Sequence, residues 1–165
     1  MIRSPWARDY ARAPKTYIWG TEASRLARQV SALLPPGARV LDVGCGEGRA
    51  SVFFAEGGFD VTGVDIARSG LAKAERLACA QGVRARWVCG DIGGLATRRL
   101  GDGSFDLIYS CGSVHYVPRA MRGRLFRRGS RRSRGPRGST HTSCSPTGPS
   151  TGRRASASTT SRPES

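Results

Sequence analysis

No stretch of the 165 residues has the length of uninterrupted apolar chain that a membrane span requires. The first nineteen residues are broken by Pro5, Asp9, Pro14 and Lys15, so they also lack the apolar centre of a secretory signal. Both absences predict a cytoplasmic protein. Cysteine is sparse and unpatterned: Cys45, Cys79, Cys89, Cys111 and Cys144 form no C-x-x-C pair and share no His-rich spacing. That excludes the usual structural metal sites and predicts free thiols in a reducing compartment. Acid is scarce, with 12 Asp and Glu against 27 Lys and Arg. From residue 127 onward there is no Leu, Ile, Val, Met, Phe, Trp or Tyr at all. A segment without such side chains cannot offset its own chain entropy, so 127–165 is expected to be a disordered, basic tail. Residues 119–165 hold 12 Arg and one acid, Glu164, so most of the net charge of +15 belongs there.

What is present upstream has regular punctuation. An aromatic arm (Trp6, Tyr10, Tyr17, Trp19) precedes a helix that Thr21 is predicted to cap, with Leu26, Val30, Leu33 and Leu34 on one face. Pro35-Pro36-Gly37 stops it. Arg39–Val43 reads as a buried strand running into Gly44-Cys45-Gly46-Glu47-Gly48, then a helix over Ala50–Ala55. Asp60–Val64 is a second strand ending at Asp65, and Ser69 is predicted to cap a helix reaching Gln81, with Leu71, Ala74, Leu77 and Ala78 toward a sheet. Ala85–Cys89 is a third strand delivering Gly90-Asp91. A loop over 93–103, a fourth strand over Phe105–Ser110 and a helix from Arg119 to Arg128 complete the pattern. Strands alternating with helices predict an α/β fold: a Rossmann-like, doubly wound parallel sheet with helices on both faces, cut short after about four strands. The organisation expected is an arm and capping helix over 1–37, a ligand-binding domain over 38–126 and the tail over 127–165.

Three strand ends carry the chemistry. In Val40-Leu41-Asp42-Val43-Gly44-Cys45-Gly46-Glu47-Gly48, glycines let the backbone approach a ligand just before a helix begins. The same turn would also serve as a plain strand-to-helix connection. A nicotinamide dinucleotide site would place its third glycine at position 49, which is Arg49, so the pattern argues against a pyrophosphate. Asp65, at the second strand tip and 21 residues beyond Gly44, suits two ribose hydroxyls. Alone it would read as a helix cap or a solvated turn. Asp91, at the third tip, suits an exocyclic amine of adenine. Three tips in succession, each offering what a nucleoside needs, form a constellation.

These motifs, with Ser104-Phe105-Asp106-Leu107-Ile108-Tyr109-Ser110, resemble the class I S-adenosylmethionine-dependent methyltransferases over residues 38–117. The resemblance implies S-adenosyl-L-methionine as cofactor. It implies that Gly44, Cys45 and Gly46 pass the methionine part over the turn, with Asp42 near its amino group. Asp65 and Ile66 would take the ribose side, Asp91 and Ile92 the adenine edge, and Ser110 would sit near the sulfonium. A narrower likeness, to tellurite-resistance-type small-molecule methyltransferases, rests on Tyr17-Ile18-Trp19-Gly20, Gly46-Glu47-Gly48-Arg49 and Val114-His115-Tyr116-Val117. It implies a small-molecule acceptor faced by Tyr17, Trp19, His115 and Tyr116. The alternative is that Val114, Tyr116 and Val117 pack a following helix while His115 is solvated. No general base and no metal site are assigned, because transfer from a sulfonium needs chiefly in-line positioning and desolvation.

The Arg-rich tail admits two readings. As an RNA-binding arm it would make nucleic acid a partner. As the product of a shifted reading frame, it would replace a Pro/Gly turn and a fifth strand. With Ser encoded as TCN, joining the last base of each codon to the first two of the next gives apolar residues at Gly129-Ser130, Arg132-Ser133 and Gly138-Ser139, and three together across Thr142–Ser145. The second reading predicts an open edge on the fourth strand and weak or absent activity, or an inactive cofactor-binding remnant. Gene sequencing that finds no such turn and strand in the alternative frame would end it.

Overall fold

The computed structural model describes residues 5–92, 100 and 105–123. Four helices and four strands follow in the order α1 (Pro5–Arg12), α2 (Arg25–Ser31), β1 (Arg39–Val43), α3 (Arg49–Glu56), β2 (Asp60–Asp65), α4 (Arg68–Ala80), β3 (Arg86–Cys89) and β4 (Leu107–Tyr109). A short 3-10 turn covers Val114–Tyr116, and 119–123 are helical. The strands form one parallel sheet in the order β3-β2-β1-β4. The chain therefore starts in the middle and winds outward in both directions, the Rossmann-like arrangement that alternating elements predict.

Alternation along β1 divides the core. Val40, with Val61 and Tyr109, packs against Ala27 of α2 and Ala50 and Phe54 of α3. Leu41 and Val43 point to the opposite face, with Val64, Val88, Leu100 and Phe105, and Ile92 and Ile108 beside them. The period of two in a strand produces this split, and both sets being apolar shows that both faces are covered. The helical cover expected on the second face, the predicted loop over 93–103 apart from Leu100, the end of the helix expected to reach Arg128 and the whole tail lie outside the described residues.

Several boundaries differ from the sequence expectation, each for a local reason. The arm, to which no element was assigned from the sequence, opens with α1, whose Tyr10 is buried. Helix α2 is capped by Ser24, not Thr21: the Ser24 hydroxyl accepts from the Ala27 amide at 3.1 Å and pairs with the Tyr109 hydroxyl at 2.8 Å. Leu33, predicted to face inward, falls beyond the helix end and is 83% exposed, and Leu26 is exposed as well. Ser69 lies inside α4 and donates to the Ala7 carbonyl, while Ala67 caps that helix without a side-chain bond. Cys45, Cys89 and Cys111 are free, as expected of them. Among the described residues no helix is long and apolar enough to cross a membrane.

Candidate cofactor and acceptor site

The site sits where β1, β2 and β3 end. Gly44, Gly46 and Gly48 all take positive φ (71°, 54° and 84°), which L side chains avoid, so the chain can turn from β1 into α3 within five residues. The turn is tied inward. The Gly44 and Cys45 amides both donate to the Val64 carbonyl (2.7 and 3.1 Å), the Gly46 amide to Asp65 Oδ2 (2.9 Å) and the Gly48 amide to the Cys45 carbonyl (2.9 Å). A turn whose amides are spent this way is not a phosphate cradle. It agrees with the exclusion drawn from Arg49. The third glycine has a packing role, since a Cβ on Gly48 would come within 2.5 Å of the Ala74 methyl of α4.

Asp65 closes the second tip. Its Oδ1 accepts from the Ala67 amide at 2.7 Å and its Oδ2 from Gly46, so the carboxylate bridges the turn and the start of α4. Burial raises its pKa, and the amides of Ala67 and Gly46 oppose the rise. Each oxygen keeps a second lone pair for a hydroxyl donor. The Gly90 amide donates to the Asp65 carbonyl at 3.0 Å, and Cys89 is the register partner of Asp65. The backbone leading to Asp91 is thereby brought alongside the second tip. Asp65, Ile66, Asp91, Ile92, Ser110 and Gly44 are all half-buried, as the rim of a ligand site is.

Asp42 stands apart. It is 2% exposed, and its Oδ2 accepts from the Ser51 hydroxyl at 2.7 Å. Burial pushes its pKa up to about 7, with the Ser51 hydroxyl pulling the other way. Its described partner is therefore the first turn of α3. Cys45 is likewise buried, its sulfur lying 2.9 Å from where a Cβ on Gly63 would sit, and burial holds its thiol protonated well above the usual range. Ser110 pairs with Ser113 at 2.8 Å, and the Ser113 hydroxyl also donates to the Val43 carbonyl. Ser113 consequently sits on the bare face of Gly44, where any side chain would collide with it.

The acceptor-side set divides. Trp19 is exposed and rests on Trp6 (ring centroids 5.6 Å apart), with its carbonyl accepting from Arg49 Nη1 at 3.0 Å. Tyr17 instead lies against α4: its hydroxyl donates to the Lys73 carbonyl at 3.2 Å, and its ring packs near Val52 and Leu77. The His115 and Tyr116 rings lie tilted against each other (centroids 4.0 Å apart) on the exposed turn after β4, with Tyr116 60% exposed and Val117 buried.

Three residues with no site role assigned from the sequence, Tyr10, Glu47 and Lys73, occupy central places. Tyr10 fits against two glycines. A Cβ on Gly46 would lie 2.6 Å from its hydroxyl, and one on Gly70 would lie 2.9 Å from its ring. Burial, then the nearby Asp65 and Glu47, raise its pKa to about 12. Glu47 and Lys73 form an ion pair almost wholly removed from water. The signals available were Gly70 inside a helix and Lys73 on the apolar face of α4. Among the described residues, no cluster of three or more His, Cys, Asp or Glu is placed to hold a metal.

The methyltransferase-domain family model matches residues 40–134, more than half of the chain. The chain belongs to that family, and its fold and strand-end motifs make it a class I S-adenosylmethionine-dependent methyltransferase domain. It is 37% identical over 82 residues to a ubiquinone biosynthesis O-methyltransferase of Bordetella avium, covering 50% of this chain and 33% of that protein. A malonyl-[acyl-carrier protein] O-methyltransferase of Pectobacterium atrosepticum is 34% identical over 127 residues, covering 73% and 47%. Among solved structures, a TehB-like SAM-dependent methyltransferase of Corynebacterium glutamicum is 29% identical with a TM-score of 0.56, covering 75% of this chain and 66% of that one. A SAM-dependent methyltransferase of Geobacter sulfurreducens in complex with S-adenosyl-L-homocysteine is 25% identical with a TM-score of 0.62, covering 80% and 53%. The chain spans about a third to a half of the length of the two curated relatives.

Proposed function

We propose that this domain binds S-adenosyl-L-methionine across the ends of β1, β2 and β3 and transfers its methyl group to a small molecule in the cytoplasm. The observation that carries the reading is Asp65. Its carboxylate is fixed between the glycine turn and the start of α4 by two amides, with an accepting position left on each oxygen for a ribose hydroxyl. Asp91 and Ile92 then take the adenine side. Gly44, Cys45 and Gly46 floor the methionine arm, and Ser110 stands at the methyl end with Ser113. Asp42 acts through Ser51 on the start of α3, which carries the turn.

The bound sulfonium supplies an electrophilic methyl group. The chain's own part is to hold the adenosine, keep the turn rigid and exclude water around the methyl, which is the contribution positioning makes to such a transfer. Trp19, His115 and Tyr116 line the acceptor side, and the small-molecule character of the acceptor draws support from the names of the curated relatives.

Titration calorimetry on the full chain tests this. S-adenosylmethionine and S-adenosylhomocysteine should give binding heat, and NAD and NADP none. Asp65→Ala should weaken binding about 10- to 100-fold, the worth of hydrogen bonds to a charged group. Heat with the nicotinamide cofactors, or an unchanged affinity in Asp65→Ala, would overturn the assignment.

A further inference from the structure

We propose that Glu47 and Lys73 are a positioning pair that clamps the N-terminal arm onto the glycine turn and so sets how long the cofactor stays bound, an inference resting on the reading of the site above. Both side chains are 2% exposed, and burying two charges is costly unless every lone pair and proton is met. Here the partners come from three places. Glu47 lies in the turn itself. Its Oε1 takes the Lys73 ammonium from α4, and its Oε2 accepts from the amides of Ile18 (2.8 Å) and Trp19 (3.3 Å) in the arm. The ammonium lies 5.7 Å from the Tyr10 ring centroid and 5.8 Å from that of Tyr17, within cation–π range of both.

A pair that only fastened α4 to the turn would have no use for arm amides and arm rings. This one depends on them. Lifting the arm would strip Glu47 Oε2 of both donors and Lys73 of both rings, contacts that water would have to replace. The arm puts the Tyr10 hydroxyl against Gly46, in the turn that floors the methionine part of the cofactor in the proposed function. Arg49, the first residue of α3, adds a bond to the Trp19 carbonyl. Clamping the arm therefore covers the turn, and the rate at which the clamp opens limits escape of the ligand.

The test uses the full chain with Glu47→Leu/Lys73→Met, which removes both charges at similar volume, and Glu47→Gln, which keeps an acceptor. Amide hydrogen exchange reads the arm, and stopped-flow dissociation of S-adenosylhomocysteine reads the cofactor. In the double variant the Ile18 and Trp19 amides should lose about tenfold or more of their protection while Val40–Val43 keep theirs. The ligand should leave about tenfold faster with its association rate nearly unchanged. Glu47→Gln should fall between the double variant and the wild type. Equal loss across arm and sheet marks mere destabilisation and overturns the clamp, as does an unaltered arm. A loosened arm with an unchanged dissociation rate overturns its hold on the cofactor. Absence of any binding heat in the wild type strikes the proposed function instead, and exchange at Ile18 and Trp19 then still decides for or against the clamp.

Discussion

Asp42 shows how one residue can have its character set by its surroundings. A carboxylate at the end of a buried strand loses its water, and the Ser51 hydroxyl at 2.7 Å only partly replaces it, so the folded pKa rises to about 7. The unfolded value is near 3.9. A raised folded pKa means that its contribution to stability is complete below about pH 4 and is lost as pH climbs through 7. Asp65, also raised, acts in the same direction. Asp42→Asn keeps an acceptor for Ser51 without the charge. It should raise the melting temperature at pH 8 and flatten the fall in stability between pH 4 and 7, measured by thermal melts across that range. A profile identical to the wild type would show that Asp42 does not titrate there.

At the scale of elements, close approach is bought with missing side chains. Gly63 in β2 has ordinary strand φ, yet a Cβ there would meet the Trp87 ring at 2.7 Å and the Cys45 sulfur at 2.9 Å. The Cys45 sulfur is buried, so Gly63→Ala should cost about 1–3 kcal/mol by overpacking. For a domain of this size that is roughly 2–10 °C in melting temperature. Ser24 joins α2 to the edge strand: one hydroxyl serves both the cap at Ala27 and the Tyr109 hydroxyl. Ser24→Ala should cost about 1 kcal/mol for the cap and more for the partner left behind, read as a lower midpoint in urea. Tyr109, held to about 12 mainly by burial, stays protonated throughout that measurement.

For the molecule as a whole, β4 pairs with β1 on one side, and no strand among the described residues pairs with its other edge. The proposed cofactor site draws on β1, β2, β3 and the turn after β4, not on a strand beyond that edge. Binding and turnover are therefore separable expectations. Saturating S-adenosylhomocysteine, at about 100 times its dissociation constant, should stabilise the full chain by about 2.7 kcal/mol. That shift is measurable by differential scanning calorimetry whatever the rate of methyl transfer. An unchanged melt at that concentration would count against the site.

The sequence by itself determined the parallel α/β sheet, the glycine turn, and the placing of Asp65 and Asp91 at neighbouring strand ends. Those are written in local periodicity and in spacing from one strand tip to the next, and short-range sterics make such patterns legible. Tertiary structure alone decided that Asp42 is buried against Ser51, that Tyr17 donates to the Lys73 carbonyl of α4, and that Ser24 rather than Thr21 caps α2. It also decided that Glu47 and Lys73, 26 residues apart, meet beneath Ile18 and Trp19. A charged residue in a sequence reads as solvated surface, because the partners that make its burial affordable come from distant segments, and only the folded chain brings them within a few ångströms.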